Sequence, residues 1–544
     1  MPAPRPYNAI IDMVDRNVDR GLGDKTAFVD PARRLSYGEL QRQTNRVADM
    51  LTGLGLRREE RIGLLMHDTV DYPAMFWGAL RAGVVPVCLN TLLTGAQYGH
   101  ILADSRVRAL FVAAPLLEVV APLLSGLESL RHVVVVGGGE GEGDGGGEDE
   151  GVCGGAEHAS LASLLAAAAP RFETVETCSD ECAFWLYSSG STGLPKGVPH
   201  VHASPRYVAD TYGANILGIR EDDICFAAAK LFFAYGLGAG MAVPMSAGAT
   251  TVLLPGRPTP RSVLATMRRF VPTLFFGVPT LYAALLADAA CRPENGSPAL
   301  RLCVSAGEAL PAEVGRAWRD RMGTDIIDGI GSTEMLHVFL SNRPGDIRYG
   351  TSGREIPGYR LRLVNEEGRE AGVDELGELL VSGGSAGMGY WNQRAKTRAT
   401  FAGEWVHTGD RFTRDAEGYY HYCGRTDDMF KVSGRWVSPF EVEQALVAHP
   451  AVLEAAVVAH EDENGLIKPR AFVVLKPGVA PEGLFEALKD SVKAAVGVWK
   501  YPRRIDFVDA LPKTATGKIQ RFRLRRAAGG RGGQKPFPPP PESG

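Results

Sequence analysis

The chain has 544 residues, 45% of them hydrophobic and 22% charged, and its formal net charge is −4. This length exceeds what one hydrophobic core usually holds, so at least two domains are expected in a globular protein of this kind. The slightly acidic balance argues against nucleic-acid binding, which requires basic surfaces that neutralise phosphates.

The N-terminal sequence MPAPRPYNAIIDMVDRNVDR lacks the apolar core and the small-residue cleavage site of a signal peptide. The longest apolar stretch, residues 109–127, contains Pro115, Glu118 and Pro122, and such residues argue against a membrane span of about 20 residues. The 8 cysteines include no CxxC pair, so neither a zinc site nor a disulfide framework is predicted. We therefore expect a cytoplasmic enzyme without a membrane partner.

Short β-branched runs alternate with helical patterns through most of the chain. The runs that predict strands include RIGLLM (61–66), the segment around 107–114, HVVVVGG (132–138) and TTVLLP (250–255). Such alternation is typical of parallel sheets covered by helices. The predicted fold class is therefore α/β.

Two breaks divide this pattern. Glycine and acidic residues dominate Gly137–Gly155, which predicts a flexible, solvated loop. Near Gly424–Asp428 a new α+β pattern begins, in which EVEQALVAHP and GLFEALKDSVKAAV predict helices and LEAAVVAHE and PRAFVVLKP predict strands. We expect a large domain over residues 1–427, a small C-terminal domain over 428–528 and a disordered tail over 529–544.

A loop of glycine and hydroxyl residues follows the apolar run CAFWLY, in the segment YSSGSTGLPKGV (187–198). Glycines let backbone N–H groups approach a phosphate, hydroxyls donate hydrogen bonds to it, and Lys196 supplies positive charge. The segment does not fit GxxxxGK[ST], because Pro195 stands where that pattern requires glycine. The residues predicted to surround the phosphates are Ser188, Ser189, Gly190, Ser191, Thr192, Gly193 and Lys196.

Further motifs follow this loop in a fixed order. They are SAGEAL (305–310), DGIGSTE (328–334), GELLVSG (377–383), TGD (408–410), GRTDDMFKVSGRWVSPFEVE (424–443) and PKTATGK (512–518). Together with the glycine-rich loop they resemble the adenylate-forming superfamily, which holds acyl-CoA synthetases, adenylation domains of peptide synthetases and beetle luciferases. The resemblance extends from about residue 20 to residue 526 and implies parallel β-sheets, a β-barrel-like subdomain and a small mobile C-terminal domain.

The resemblance also implies a reaction of two steps. A carboxylic acid and ATP form an acyl-adenylate and diphosphate, and a thiol then displaces AMP, so ATP, Mg²⁺ and coenzyme A are the expected cofactors. Because the first step brings two anions together, positive charge is required. Lys518 matches the lysine that contacts the carboxylate and the α-phosphate, and Thr333 matches a hydroxyl beside that phosphate. Glu334, together with Thr192, matches the metal site, since hard cations prefer oxygen ligands.

The nucleotide site implied by the resemblance continues into the later motifs. Asp410 matches the acid that accepts the ribose hydroxyls, and Arg425 matches a second ribose or phosphate contact. At Ile330 many members have a tyrosine that stacks on adenine, so an apolar but weaker contact is expected here. The remaining residues assigned to the nucleotide are Ala306, Gly307, Glu308, Asp328, Gly329, Gly331, Ser332 and Thr333.

A hinge and a second face of the small domain are also implied by the resemblance. Asp427 matches the hinge, where few residues have to absorb a change of backbone direction. If the small domain turned at this hinge, the loop that carries Lys518 would leave the active site and the face that admits the thiol would replace it. Lys431, Ser433 and Gly434 would lie on that face.

The acid pocket is expected from KLFFAYGLG and MLHVF. Amino-acid-activating domains place an aspartate at about Ala234, so an α-amino acid would bury its ammonium group unpaired here, at a cost of several kcal/mol. KLFFAYGLG, DGIGSTEMLHVF, YGTSG and RTDDMFKVSG resemble the benzoate–CoA ligases in particular. The pocket residues implied by this resemblance are Phe233, Ala234, Tyr235, Ala306, Gly331, His337 and Val338, with His337 near the carboxylate.

Benzoate, for aromatic acid degradation, is the predicted substrate, and 4-hydroxybenzoate, fluorobenzoates and 2-aminobenzoate are alternatives. A hydrophobic slot discriminates such small ring substituents by only about 1–3 kcal/mol. A stand-alone enzyme that loads the acid onto a carrier protein is a further alternative. A ligand-binding sensor that has lost the ligase activity is disfavoured, because Lys518 and Glu334 are present. An oxygen-dependent luciferase has no supporting feature. The expected partners are small molecules, with no nucleic acid and no membrane, and the chain is expected to be a monomer or a homodimer.

Overall fold

The computed structural model describes residues 5–137, 158–188, 194–432, 435–462, 465–497, 499–513 and 519–529. The strands up to Glu355 are β1 (Thr26–Val29), β2 (Arg34–Ser36), β3 (Arg61–Leu65), β4 (Val85–Cys88), β5 (Ala109–Ala113), β6 (His132–Val136), β7 (Ala159–Ser160), β8 (Cys182–Ser188), β9 (Lys196–Val201), β10 (Ile224–Ala227), β11 (Thr250–Val252), β12 (Leu274–Gly277), β13 (Leu302–Ser305), β14 (Ile326–Gly331), β15 (Val338–Ser341) and β16 (Arg354–Glu355). The later strands are β17 (Arg360–Val364), β18 (Gly377–Ser382), β19 (Phe401–Ala402), β20 (Trp405–Arg414), β21 (Tyr420–Arg425), β22 (Phe430–Val432), β23 (Arg435–Val437), β24 (Val452–Glu461), β25 (Ile467–Leu475) and β26 (Arg504–Phe507).

Helices connect most of these strands. The α-helices are α1 (Tyr37–Gly53), α2 (Asp71–Arg81), α3 (Gly95–Ser105), α4 (Leu117–Leu124), α5 (Leu161–Ala167), α6 (Ala203–Val208), α7 (Ala234–Leu237), α8 (Val243–Ala247), α9 (Pro260–Phe270), α10 (Pro279–Ala287), α11 (Ala312–Met322), α12 (Arg394–Thr400), α13 (Pro439–Val447), α14 (Leu484–Val496) and α15 (Arg521–Gly529). Short π-helical segments are Ile11–Asp15, Val18–Leu22, Ala209–Leu217 and Gly238–Ala242, and short 3₁₀ turns are Ala114–Leu116 and Pro293–Asn295.

The central sheet has nine strands in the order β16-β15-β14-β13-β12-β10-β11-β1-β2. The strands from β14 to β1 pair in parallel, whereas β15, β16 and β2 are antiparallel to their neighbours. Every residue of β12 and β13 is buried, as expected for strands covered by helices on both faces. The carboxyl ends of these parallel strands therefore meet at one edge of the sheet.

A second sheet has seven strands in the order β7-β6-β5-β3-β4-β8-β9. Its strands are parallel except for β9, which returns antiparallel to β8. The pairing of β8 with β9 brings Ser188 opposite Lys196, at the two ends of the glycine-rich loop. This hairpin carries the loop at the end of a buried strand.

Between Arg360 and Arg425 the chain forms an antiparallel sheet of five strands, β17 to β21. The resemblance implies a β-barrel-like subdomain but no residue bounds for it, and the sheet found here is antiparallel. The register of β20 with β21 sets Asp410 opposite Arg425.

The residues after Phe430 form hydrophobic clusters of their own. Strands β24, β25 and β26 form a three-stranded sheet, and β22 pairs with β23 in a hairpin. Helices α13 and α15 contact β24, and α13 also contacts α14. Both helices and both long strands predicted for this segment are present.

The α/β fold class predicted from the sequence is confirmed, with a large region of parallel sheets followed by a smaller α+β region. The strands predicted near residues 61, 107, 132 and 250 are β3, β5, β6 and β11, of which β11 is shorter than its apolar run. The predicted loop after Gly137 and the tail after Gly529 lie outside the described residues. No helix in the described part combines the length and the apolar character needed to cross a membrane.

Candidate active site

The motifs SAGEAL and DGIGSTE follow neighbouring parallel strands. Strand β13 ends at Ser305 opposite Asp328 of β14. The segment after Ser305 and the Ser332–Glu334 turn after β14 therefore lie at one edge of the sheet, and crevices at the carboxyl ends of parallel strands are common ligand sites. Residues 330–334 are partly exposed, although the first four residues of β14 are buried.

The Glu334 carboxylate is held by hydroxyl groups from distant segments. Its Oε1 accepts a hydrogen bond from the Tyr390 hydroxyl at 2.8 Å and a longer one from the Ser188 hydroxyl at 3.5 Å. Among the described residues both of these hydroxyls bond to Oε1, so Oε2 would be available to a cation. The described residues contain no group of 3 or more His, Cys, Asp or Glu side chains that could hold a metal ion unaided. One carboxylate together with phosphate oxygens is a ligand set that Mg²⁺ commonly uses, and Glu334 would supply that carboxylate.

Lys196 lies beside this carboxylate. Its Nζ is 4.0 Å from the centroid of the Tyr390 ring, a distance typical of a cation–π contact. Burial lowers the pKa of Lys196, and the negative charge of Glu334 opposes that shift. Lys196 therefore lies near both Tyr390 and Glu334, at the residue where β9 begins after the glycine-rich loop.

The main chain of the Ser332–Glu334 turn is also held from outside its own strand. The Thr333 carbonyl lies 2.9 Å from Nε2 of His200, and the Glu334 carbonyl accepts from the Gly387 N–H at 2.8 Å. Burial lowers the pKa of His200 to about 4, so the ring is neutral at pH 7. Since a carbonyl can only accept, Nε2 carries the ring proton.

Asp410 and Arg425 form the candidate ribose site. Nη1 of Arg425 donates to Oδ1 of Asp410 at 3.1 Å and to the Thr408 carbonyl at 2.8 Å. The Asp410 carboxylate, with burial opposing it, raises the pKa of Arg425. Gly409 between them has φ of +69°, and a Cβ there would lie 2.9 Å from Nη2 of Arg425. The left-handed φ therefore favours glycine here, and any larger residue would also have to displace the end of the Arg425 side chain.

Asp328 is a buried carboxyl group at the end of β14. Its Oδ2 accepts from the Leu310 N–H at 3.3 Å. Burial raises the pKa of Asp328 to about 8, with hydrogen bonds from Leu310 and Ser305 opposing the shift. At neutral pH this side chain is therefore mostly protonated and serves as a neutral hydrogen-bonding group.

Aromatic side chains converge at the start of α7. Phe233 precedes this helix, and the Tyr235 hydroxyl donates to the Val304 carbonyl at 3.1 Å. The ring centroid of His337 lies 5.7 Å from that of Tyr235 and 5.3 Å from that of Tyr212. The sequence-predicted pocket residues Phe233, Ala234 and Tyr235 are partly exposed, whereas Ala306, His337 and Val338 are buried.

His337 is packed tightly and is only 2% exposed. Neither ring nitrogen makes a hydrogen bond of normal geometry within the described residues, and burial lowers the pKa of the ring to about 4. A Cβ on Gly238 would lie 2.0 Å from Cδ2 of His337, and one on Gly331 would lie 2.4 Å from the His337 carbonyl oxygen. The two glycines therefore set the position of a neutral ring between Tyr212 and Tyr235.

The remaining nucleotide residues lie close to this edge. Gly307 has φ of +98°, in a left-handed turn directly after Ala306. Ile330 is partly buried and packs against the core of the central sheet. Gly329 pairs with Ser341 and is buried, and a Cβ there would lie 2.7 Å from Cγ1 of Val338.

The predicted hinge and thiol face lie between β21 and β23. Asp427 is exposed in the turn after Arg425. Nζ of Lys431 is 3.7 Å from Oε2 of Glu366 and 4.6 Å from the centroid of the Trp436 ring. The Trp436 ring nitrogen donates to Oε1 of the same glutamate at 2.8 Å.

Several sequence-predicted site residues lie outside the described residues. They are Ser189, Gly190, Ser191, Thr192 and Gly193 of the glycine-rich loop, Ser433 and Gly434 of the thiol face, and Lys518.

Sequence reasoning missed Tyr390 and His200. Tyr390 follows the motif GELLVSG by a few residues, and nothing in its local pattern indicates that its hydroxyl reaches Glu334. His200 carries a weak signal, because it is a polar residue in the otherwise apolar end of a buried strand. Buried polar side chains usually have a specific hydrogen-bond partner.

Family models match most of the chain. A model described as AMP-binding enzyme matches residues 14–391, and one described as AMP-binding enzyme C-terminal domain matches residues 441–518.

Similar proteins of known activity cover nearly the whole chain. The chain is 55% identical over 523 residues to the 4-hydroxybenzoate–CoA/benzoate–CoA ligase of Rhodopseudomonas palustris. The aligned region covers 96% of this chain and 94% of that protein. It is also 53% identical over 529 residues to the benzoate–CoA ligase of Thauera aromatica, and this aligned region covers 96% of this chain and 97% of that protein. The crystal structure of the anthranilate CoA ligase AuaEII in complex with anthranoyl-AMP superposes with a TM-score of 0.90 at 43% identity, over 96% of this chain and 98% of that one.

Proposed function

This chain belongs to the AMP-binding enzyme family and is an AMP-forming acid–thiol ligase that uses ATP, Mg²⁺ and coenzyme A, and we propose that its acid substrate is benzoate. The observation that carries the proposal is the apolar, aromatic surroundings of Tyr235 and His337 beside the Thr333–Glu334 turn. Two relatives above 50% identity are named for benzoate.

In the proposed adenylation step a benzoate oxygen attacks the α-phosphorus of ATP, and the bond to the bridging oxygen breaks to release diphosphate. Lys196 and Lys518 offset the repulsion between the two anions, and Thr333 donates to the α-phosphate. A Mg²⁺ ion bound to Glu334 would withdraw charge from phosphate oxygens. Asp410 and Arg425 hold the ribose, which fixes the α-phosphate relative to the turn.

In the proposed second step the thiolate of coenzyme A attacks the benzoyl carbonyl carbon, and the bond to the AMP oxygen breaks. The domain after Asp427 turns between the two steps, so Lys518 leaves the site and the face with Lys431, Ser433 and Gly434 replaces it. We propose that Asp427 marks the boundary between residues 1–427 and 428–528 for this reason.

The chemistry of the acid pocket supports an uncharged ring. His337 is neutral, and the buried Asp328 is mostly protonated at neutral pH, so neither offers a charge to a substrate ammonium group. An α-amino acid would lose the hydration of its ammonium group without a partner, at a cost of several kcal/mol. In benzoate only the carboxylate is charged, and in the proposed adenylation step that group faces Lys196 and Lys518.

Two ring-substituted acids are the main alternatives. A relative is named for 4-hydroxybenzoate as well as benzoate, and a structural neighbour is named for anthranilate. Fluorobenzoates differ from benzoate by small apolar atoms, so a hydrophobic slot rejects them by only about 1–3 kcal/mol. A carrier-protein thiol in place of coenzyme A is the remaining alternative for the acceptor.

The test is an acid panel with the purified protein, Mg-ATP and coenzyme A, in which AMP and acyl-CoA are both measured. The panel holds benzoate, 4-hydroxybenzoate, 2-aminobenzoate, 2-fluorobenzoate, hexanoate and phenylalanine. We expect benzoyl-CoA and AMP in equal amounts, with the highest kcat/KM for benzoate and no product from phenylalanine. A higher kcat/KM for another ring acid would contradict the benzoate assignment, and AMP without acyl-CoA would contradict coenzyme A as the acceptor.

A further inference from the structure

The Thr333–Glu334 turn depends on contacts from outside its own segment. The turn belongs to the connection between β14 and β15, residues 332–337. Leu336 in this connection has φ of +65°, a left-handed conformation that costs a non-glycine residue about 1–3 kcal/mol. Locally, the Thr333 carbonyl accepts from the Leu336 N–H at 3.2 Å. A strained turn of this kind keeps one geometry only when surrounding groups hold it.

His200 holds the turn from the seven-stranded sheet. Its Nε2 donates to the Thr333 carbonyl at 2.9 Å, and its ring stacks on Phe184 with centroids 5.3 Å apart. His200 is fully buried on β9, which pairs with β8 along its whole length. The donor therefore has a fixed position relative to the second sheet.

Tyr390 holds the turn from the segment between β18 and α12. Its hydroxyl donates to Oε1 of Glu334 at 2.8 Å, while Lys196 lies 4.0 Å over its ring. The Tyr390 N–H donates to Oγ1 of Thr397 at 2.9 Å, and that hydroxyl donates back to the Tyr390 carbonyl at 3.2 Å. Only 8% of Tyr390 is exposed. One side chain therefore links the carboxylate and the ammonium group of the phosphate site.

We propose that Tyr390 and His200 are positioning residues that together hold the Thr333–Glu334 turn in the geometry that binds Mg-ATP. Tyr390 orients the Glu334 carboxylate so that Oε2 faces the metal ion, and His200 orients the Thr333 peptide so that its hydroxyl faces the α-phosphate. Both residues act through the turn and contact neither reacting atom. The proposal rests on the proposed function only in taking this turn as the ATP site.

The experiment compares Tyr390→Phe and His200→Phe with wild type in the two half-reactions. Tyr390→Phe keeps the ring under Lys196 and removes only the donor, and His200→Phe keeps a ring on Phe184. Adenylation is measured by benzoate-dependent ATP–diphosphate exchange over a range of Mg²⁺ concentrations. The second step is measured from preformed benzoyl-adenylate and coenzyme A.

We expect each variant to lose about 10- to 100-fold in the adenylation rate, because each loses a buried hydrogen bond to a charged or strained group. The Mg²⁺ concentration for half-maximal exchange should rise for Tyr390→Phe more than for His200→Phe. The second step should stay within about twofold of wild type. His200→Gln, whose amide can still donate to the carbonyl, should recover most of the loss.

Two matched variants serve as controls. His202→Gln changes a second buried histidine, whose Nδ1 accepts from the Ala9 N–H at 3.2 Å. Tyr349→Phe removes a tyrosine hydroxyl that donates to an aspartate, Oδ1 of Asp325, at the same distance of 2.8 Å. Neither control should change the Mg²⁺ dependence.

A direct binding measurement separates this proposal from the benzoate assignment. Affinity for Mn²⁺–ATP, followed by electron paramagnetic resonance of the bound Mn²⁺ without any acid, should fall about tenfold in Tyr390→Phe and His200→Phe. If the wild-type protein bound Mn²⁺–ATP but did not turn over benzoate, the proposed substrate would be contradicted. The comparison of Mn²⁺–ATP affinities between wild type and variants would still test the positioning role. Unchanged Mn²⁺–ATP affinity in both folded variants, or equal losses in the two half-reactions, would overturn the positioning role.

Discussion

Asp328 shows how burial changes the chemistry of one residue of the motif DGIGSTE. The side chain is fully enclosed at the end of β14, and burial raises the pKa of its carboxyl group from an ordinary 3.8 to about 8. The folded protein therefore binds this proton more tightly than the unfolded chain does. Asp328 is thus a neutral acid, whereas Asp410 pairs with Arg425 and the charge of Glu334 acts on Lys196.

This difference predicts a pH dependence of stability. As pH rises from about 4 to about 8, the unfolded chain releases the Asp328 proton that the folded chain retains, so the free energy of unfolding falls. Asp328→Asn cannot ionise, so this contribution disappears. Between pH 5.5 and pH 7.5 we expect the variant to gain about 2–3 kcal/mol relative to wild type, measured by urea denaturation. Parallel pH profiles for the two proteins would contradict a raised pKa at Asp328.

At the scale of elements, the segment that leads into α7 is attached to both large sheets. Asp68 follows β3 in the chain. The Leu231 N–H donates to both carboxylate oxygens of Asp68, each at 3.3 Å. Nζ of Lys230 lies 3.8 Å from Oδ2 of Asp68 and donates to the Gly256 carbonyl at 2.6 Å. Asp68 is 2% exposed. The segment carrying the acid-pocket aromatics is therefore fixed between β3 and the end of β11.

We predict that Lys230→Met raises the KM for benzoate about tenfold and leaves the KM for ATP within about twofold, because the change loosens the pocket and spares the phosphate site. The variant should also lose about 1–3 kcal/mol of stability, since burial already raises the pKa of Asp68 to about 6 against the charge of Lys230, and without that charge the buried carboxyl group has to take up a proton. Steady-state kinetics with each substrate varied and urea denaturation measure the two effects.

Two comparisons sharpen this prediction. Lys25→Met removes a lysine whose Nζ donates to the Gly248 carbonyl at 2.6 Å, and it should leave the KM for benzoate unchanged. The double variant of Asp68→Asn with Lys230→Met should be more stable than Lys230→Met alone, because it leaves no buried charge unpaired. Additive losses in the double variant would show that the two side chains do not form a buried pair.

At the scale of the whole molecule, the region after Asp427 contacts the antiparallel sheet through α13. The Phe440 and Tyr422 rings have centroids 5.1 Å apart. Arg521, at the start of α15, donates to Oε2 of Glu443 at 2.7 Å, and Arg525 donates to Oδ1 of Asp428 at 2.7 Å. The helix that follows the lysine motif is thereby linked to the turn that carries the proposed hinge.

The proposed turning of this region predicts opposite losses in two variants. Lys518→Ala should lose at least about 100-fold in ATP–diphosphate exchange while still converting preformed benzoyl-adenylate and coenzyme A to benzoyl-CoA. Lys431→Ala should retain exchange and lose the second step. Separate assays of ATP–diphosphate exchange and of benzoyl-CoA formation from benzoyl-adenylate measure the two half-reactions in each variant. Equal losses of the two half-reactions in either variant would contradict two alternating faces.

The α/β fold class and the order of the motifs could be predicted from the sequence. Each motif is contiguous, so the glycine-rich loop, DGIGSTE and TGD can be read within a few residues, and the predicted strands β3, β5 and β6 are apolar runs of the expected length. The segments 306–308 and 328–334, predicted to bind the nucleotide, lie at the same edge of the sheet because β13 and β14 are parallel neighbours. That juxtaposition follows from topology, and the sequence alone does not specify which strands are adjacent.

The sequence by itself determined the family and the motifs of this protein, and it predicted a phosphate-binding loop, a carboxylate for the metal ion and an aromatic segment for the acid. Only the tertiary structure decided what holds these groups in place. Tyr390 is 56 positions from Glu334, His200 is 133 positions from Thr333, and Asp68 is 163 positions from Leu231. Contacts across such separations leave no local pattern, because the hydrogen-bond geometry that makes each of these residues important exists only after the sheets have packed together.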